Sequence, residues 1–210
     1  MILKEPYIFD NIISEQSQKL LIDFFESNYK NWYFLKNVIH KNSKTHMDLP
    51  GYTTDILIKN DDIISNIILD IQTKILNKLN LKIAENRRYK LNALLPPTNS
   101  MDETEIYKSI HYDTPLEHLV ILYYVNDSDG DTKLFDNKLG NTYQSNLKVV
   151  HEIQNGNFSN LELTKSISPS QGKIIVFDGS TFHCPGWPTL NNRYTINYNI
   201  FIKPTNKKLL

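Results

Sequence analysis

Residues 173–183 read Lys-Ile-Ile-Val-Phe-Asp-Gly-Ser-Thr-Phe-His, and residues 193–201 read Arg-Tyr-Thr-Ile-Asn-Tyr-Asn-Ile-Phe. In the first, a turn at 169–172 leads into the apolar run Ile174-Ile175-Val176-Phe177, the pattern of a short buried strand that ends just before His183. In the second, strand parity puts Arg193, Thr195, Asn197 and Asn199 on one face and Tyr194, Ile196, Tyr198, Ile200 and Ile202 on the other. One face is polar and the other greasy, so this strand separates a core from something polar that the fold keeps.

Working outward, residues 88–95, 106–113, 119–125 and 133–135 are further short β-rich runs, with a polar turn at 126–131 that contains Gly130. The texture before residue 87 is different. Ser14 is placed to cap a helix carrying Leu20, Leu21, Phe24 and Phe25. Asn60 is placed to cap a second, with Ile63, Ile64, Ile67, Ile68, Ile71, Ile75 and Leu79 on one stripe. Asp61 and Asp62 in its first turn and Lys74 and Lys78 near its end complement the helix dipole. Helices first and many short strands after predict an α+β protein whose strand half closes into a sandwich or barrel. No repeat or linker divides the chain, so residues 1–210 are expected to form a single domain, with helical support to about residue 85 and the strand core from about 86 to 203.

The 23 basic and 23 acidic residues cancel, so nothing in bulk charge calls for nucleic acid or an anionic membrane as a partner. Cys184 is the only cysteine, which excludes an internal disulfide, and the charged start MILKEPYIFD does not read as a secretory signal. A reducing, cytoplasmic setting is expected. The most apolar stretch, 63–79, is interrupted by Ser65, Asn66, Asp70, Gln72 and Lys74, so no membrane-crossing run is expected.

The chemistry begins at His111-Tyr112-Asp113. On a strand, alternation brings the imidazole and the carboxylate to one face and turns Tyr112 away. Six histidines and 23 acids in 210 residues make about 0.7 His-x-acid matches by chance, so the motif alone is weak. His46-Met47-Asp48 is such a match, set between a polar stretch and Pro50-Gly51. What distinguishes His111 is its sequel: an apolar strand, the turn into Gly130-Asp131-Thr132, and the late strand that leads to His183. Two imidazoles and one carboxylate suit a non-haem iron(II) site with open positions, although zinc accepts the same donors. Arg193 decides between them. A planar guanidinium backed by the Thr195 hydroxyl is made to grip a carboxylate, as a dicarboxylic keto-acid requires and a zinc hydrolase does not.

Taken in order, HYD at 111–113, LVILYYVN at 119–126, GDTKLF at 130–135, PSQGKIIVFDGSTFH at 169–183 and RYTINYNIF at 193–201 resemble the prolyl-hydroxylase-like branch of the 2-oxoglutarate/Fe(II) dioxygenases. The resemblance runs from about residue 88 to 202. It implies a double-stranded β-helix, or jelly-roll, with His111, Asp113 and His183 as iron ligands and Arg193 on the far carboxylate of 2-oxoglutarate. It further implies that Tyr124 and Thr195 support that carboxylate. The implied partners are O2 and a peptide or small molecule, and ascorbate is among the accessory reductants the resemblance allows. Hydroxylation of a peptidyl residue such as proline is the leading expectation. Small-molecule hydroxylation, nucleic-acid demethylation and a catalytically silent binding module stay open beside it. Leu95-Pro96 departs from the Tyr-Pro that prolyl hydroxylases often carry on the strand entering the site, and Asp113 argues against a halogenase.

The remaining candidates are read more plainly. His40, His118 and His151 are taken as ordinary polar residues. Cys184 should face away from His183, and Trp187 is assigned to core or rim. Trp32, Tyr33 and Phe34, with the loop to Gly51, form either a substrate lid or part of the core.

Overall fold

Strand β5 (Leu119–Tyr124, LVILYY) is buried at every position, and its two faces feed two different cores. Leu119, Ile121 and Tyr123 join a large cluster with two helices, whereas Val120, Leu122 and Tyr124 join Leu134, Ile167, Ile175 and Phe177 in a cluster between two sheets. A strand covered on both sides reads as a continuous apolar run, because neither parity is left to water.

The computed structural model describes residues 3, 5–27, 32–35, 51–56, 58–59, 62–97, 106–114, 116–140 and 142–203. The elements before β5 are β1 (Tyr7–Phe9), α1 (Glu15–Ser27), β2 (Tyr33–Leu35), β3 (Gly51–Asp55), α2 (Ile63–Lys78) and β4 (Ile83–Leu94). Those after it are β6 (Thr132–Asn137), α3 (Tyr143–Gln154), β7 (Leu161–Ile167), β8 (Ile174–Asp178), β9 (Phe182–Pro185) and β10 (Arg193–Ile202). A seven-stranded antiparallel sheet runs β1-β8-β5-β10-β4-β3-β2, and a three-stranded one runs β7-β6-β9. The chain passes from the large sheet to the small one between β8 and β9. Together they form the double-stranded β-helix, an α+β arrangement with α1 and α2 covering the outer face of the large sheet and α3 packed on the outer face of the small one.

The helix starts follow from local chemistry. Ser14 Oγ accepts from the Ser17 amide at 3.2 Å, and Leu21 and Phe25 turn inward one helical repeat apart. In α2 the cap is Asp62, whose carboxylate accepts from the Ser65 amide at 2.8 Å, rather than Asn60. The helix therefore begins where its apolar stripe does, at Ile63, two residues later than a cap at Asn60 would start it, and the predicted cap Asn60, with Asp61, lies outside the described residues. Ile64, Ile67, Ile68, Ile71 and Ile75 are buried at helical spacing, the stripe a core-facing helix requires. No helix among the described residues is long and apolar enough to cross a membrane.

Two expectations are corrected. Residues 106–113 are not a strand: Ile106 and Tyr107 open a helical turn, closed by Ser109 N–H to Ile106 O and Ile110 N–H to Tyr107 O, both 3.0 Å. Only His111 is then extended, in an isolated bridge to His183. Ile106 and Ile110 lie four residues apart, a spacing that suits both a strand face and a helix face, and they pack with Phe135 and Phe182 on the small sheet. The second correction is that α3, β7 and the N-terminal strands β1 to β3 were not anticipated.

Candidate metal centre

The lone bridge brings the first ligand-bearing segment to β9. The His111 amide donates to His183 O at 2.9 Å, and the His183 amide donates back to His111 O at 2.8 Å. This reciprocal pair sets the two imidazole rings 4.5 Å apart, centroid to centroid. Asp113 Oδ1 lies 3.7 Å from His111 Nε2, and one donor atom from each of His111, Asp113 and His183 falls within 4.8 Å of the others.

The tautomers are fixed from behind. Nδ1 of His111 lies 2.9 Å from Ser109 O, and Nδ1 of His183 lies 2.9 Å from Thr181 O. A carbonyl only accepts, so each Nδ1 carries the proton and each Nε2 keeps its lone pair toward the centre. Burial, reinforced by the neighbouring His183, holds His111 down at about 4, so it is neutral near pH 7. Burial works against the Asp113 carboxylate, but the two imidazoles and a hydrogen bond from Asn199 overcome it and hold the group at about 2. Two imidazoles with Nε2 turned toward the centre and one anionic carboxylate, gathered on one side and open on the other, fit the donor set of a non-haem iron(II) ion.

A further layer, absent from the sequence expectations, stands behind Asp113. Asn199 Nδ2 donates to Asp113 Oδ2 at 2.7 Å and approaches His118 Nε2 at 3.3 Å. His118 gives its own Nδ1 proton to Leu116 O at 2.7 Å, which leaves Nε2 as an acceptor for Asn199. His118 is fully buried, and its ring occupies the space where a Cβ on Gly179 would sit. Glycine at 179 is thus what admits the ring. His118 is not the ordinary polar residue expected of it, because its partners lie some eighty residues away and no spacing announces them.

The triad opens into a cavity of about 270 Å³ between the sheets, whose walls include Leu94, Val120, Leu122, Phe177, Arg193 and Thr195. Arg193 is 3% exposed. One of its terminal amino groups donates to Thr132 Oγ1 at 2.7 Å, and its Nε–H has no partner. Burial lowers the pKa of the guanidinium, with Tyr124 opposing that shift. A buried cation with unused donors, facing a cavity, is an anchor for an anion. Thr195 lines the cavity as parity predicted. Tyr124 is set one step back: it does not line the cavity, its hydroxyl donates to Thr132 Oγ1 at 2.6 Å, and its ring lies 5.5 Å from the guanidinium carbon. Thr132, which sequence reasoning left unassigned within GDTKLF, is the residue between them.

Gly130 explains how Arg193 is housed. A Cβ there would come within 2.5 Å of Gly186 O and 3.1 Å of Arg193 Cδ, so only glycine lets the turn after β5 close over the arginine stem. Cys184 faces away from the triad, buried with Phe182 and Val149, and burial pushes its thiol up to about 12. Trp187 is buried, as is Trp32, whereas Tyr33 and Phe34 are exposed on the edge strand β2. His151 is exposed on α3. His40, the rival His46-Met47-Asp48 and the loop expected to act as a lid lie outside the described residues.

No family model and no curated protein matches the chain. Solved structures do match in fold. A Trichoplax adhaerens prolyl hydroxylase, solved with a peptide fragment of the hypoxia-inducible factor oxygen degradation domain, aligns with a TM-score of 0.57 at 12% identity, over 93% of this chain and 83% of that one. A Pseudomonas putida prolyl-4-hydroxylase aligns at 0.55 and 11%, over 94% and 92%. SnoK, a non-haem α-ketoglutarate-dependent carbocyclase of nogalamycin biosynthesis, aligns at 0.65 and 10%, over 94% and 79%. The likeness establishes the double-stranded β-helix of the 2-oxoglutarate oxygenases as the fold of this chain.

Proposed function

We propose that this protein is an Fe(II)- and 2-oxoglutarate-dependent dioxygenase that hydroxylates an organic substrate. The observation that carries the reading is the pairing, in one cavity, of a His-Asp-His donor set with a buried arginine whose Nε–H is unpaired. His111, Asp113 and His183 would hold the ion, and Arg193, with Thr132 and Thr195 beside it, the distal carboxylate of 2-oxoglutarate. When bound, iron with 2-oxoglutarate and O2 supplies an oxidant strong enough for an unactivated C–H bond, with succinate and CO2 leaving.

The protein's own share is placement. The Nδ1 hydrogen bonds keep both imidazoles aimed, the Asn199–His118 pair fixes the carboxylate, and the walls from Val120, Leu122 and Phe177 keep water from the reacting centre. The reading takes the whole chain as one catalytic unit in the cytoplasm, with ascorbate as an accessory reductant. A peptidyl residue such as proline is the first substrate class to test, supported by the likeness to the two prolyl hydroxylases. Likeness to SnoK favours a small molecule as the second.

The test is direct. Anaerobic protein should bind one Fe(II) and one 2-oxoglutarate, and oxygen should then release succinate. A His111→Ala variant that binds iron as tightly as the native chain, or absence of 2-oxoglutarate binding to the iron-loaded protein, refutes the proposal.

A further inference from the structure

The face of the large sheet that looks into the cavity forms a grid fixed by its registers. From β8 outward to β4, one row runs Ile175, Leu122, Asn197, Lys90, and the next runs Phe177, Val120, Asn199, Arg88. The face therefore passes from hydrocarbon through amides to cations within four strands. Arg88 and Lys90 both line the cavity. They flank its Asn199 end, where Asp113 is hydrogen-bonded. Arg193 instead pairs with Leu94, four residues and about 13 Å along β4 from Lys90.

This second cationic end is incompletely satisfied. Among the described residues Arg88 makes one loose rim pair, with Asp55 3.9 Å away, and its side chain is 42% exposed. Lys90 is half-buried, and among the described residues its ammonium has no hydrogen bond or ion pair. Beside it, Asn197 Oδ1 is buried without a partner. Asn92 Oδ1 accepts from Thr53 Oγ1 at 3.1 Å, and among the described residues its amide protons make no hydrogen bond. A desolvated, unpaired ammonium is costly unless something anionic meets it.

We propose that Lys90, with Arg88 beyond it and Asn92 alongside, is a specificity site for an anionic group, carboxylate or phosphate, carried by the substrate. The word "substrate" rests on the dioxygenase reading; the anion site itself does not. Burial and the nearby Arg88 lower the pKa of Lys90 against the weaker attraction of Asp55 and Asp113, and a bound anion adds to that attraction. Because the site lies at the metal's end, the anion would orient the substrate so that a carbon a few bonds away faces the triad. Arg193, at the other end, remains committed to 2-oxoglutarate.

The experiment uses the full chain loaded with Zn(II) and 2-oxoglutarate, which is inert to oxygen, and titrates acetate and inorganic phosphate while following lysine side-chain resonances. Native protein should show one saturable site for at least one of the two anions. Lys90→Met, which keeps the aliphatic stem, should weaken it by about ten-fold, and Lys90→Arg should largely restore it. Affinity for 2-oxoglutarate should stay within about two-fold in both variants, since the two ends are separate. Unchanged anion affinity in Lys90→Met, or no anion binding to native protein, overturns the proposal. Repeating the titration on metal-free Arg193→Gln protein separates the two readings, because there the rim is the cationic end left to bind. Oxygen-dependent succinate release is then compared between free amino and hydroxy acids and acidic peptides, each against its carboxamide counterpart. Loss of stimulation on amidation within one series supports the site and assigns its source. Equal stimulation by acid and amide in both series overturns it.

Discussion

Strand β10 has two faces with opposite purposes. Tyr194, Ile196, Tyr198 and Ile200 are buried against α1 and α2 in the largest core, while Arg193, Thr195, Asn197 and Asn199, interleaved with them, face the cavity side. The apolar face asks only for fit, and it is filled. The polar face carries groups still seeking partners: Arg193 Nε, Asn197 Oδ1 and Asn199 Oδ1 are buried without one. Stability and function thus alternate residue by residue along one strand, and substitutions should separate them cleanly.

The largest effect should come where the polar face meets the metal. His183→Ala leaves two donors and is expected to abolish Fe(II) binding in a calorimetric titration while the fold persists; tight binding in this variant would break the contrast. Next, Arg193→Gln should raise the 2-oxoglutarate half-saturation by about 30-fold, the worth of a charge-assisted pair of hydrogen bonds, with metal affinity retained. Asn199→Ala should weaken Fe(II) by about ten-fold through Asp113 alone, within the usual range for a residue that orients a ligand. On the apolar face, Ile196→Ala should do the reverse, costing about 3 kcal/mol in chemical denaturation while metal affinity per folded molecule is unchanged.

The smallest effect is in pH. Folding lowers His111 from its ordinary 6.5 to about 4, so between those values the unfolded chain binds the extra proton. Stability of the metal-free protein should therefore rise with pH across that window. His111→Gln should flatten this slope in denaturation curves taken from pH 4 to 7, and an unchanged slope would assign it elsewhere.

What the sequence disclosed follows the same division. β5, β8 and β10 were legible because their apolar content is high and their parity strict, and the His111, Asp113, His183 and Arg193 constellation was legible through motif order. β7 was not, since LELTKSI is mostly exposed between its buried ends, and α3 buries only Asn146, Val149 and Ile153. Such elements are set by what packs against them, and local propensity does not reveal it. Residues 106–113 failed for another reason: an apolar pair at i and i+4 satisfies strand and helix periods alike. His118 and Lys90 were out of reach because their meaning comes from strand register, which joins residues distant in the chain.

The isolated bridge between His111 and His183 also makes the metal site observable without turnover. Its two amide protons are the backbone ties between a segment that is not a strand and the edge of the small sheet. An ion gripping both side chains would clamp that opening motion, and local openings govern how fast such protons exchange with solvent. Hydrogen exchange at these two amides should slow on metal addition while the amides of β5 stay as they were, giving an occupancy gauge that needs no knowledge of the substrate.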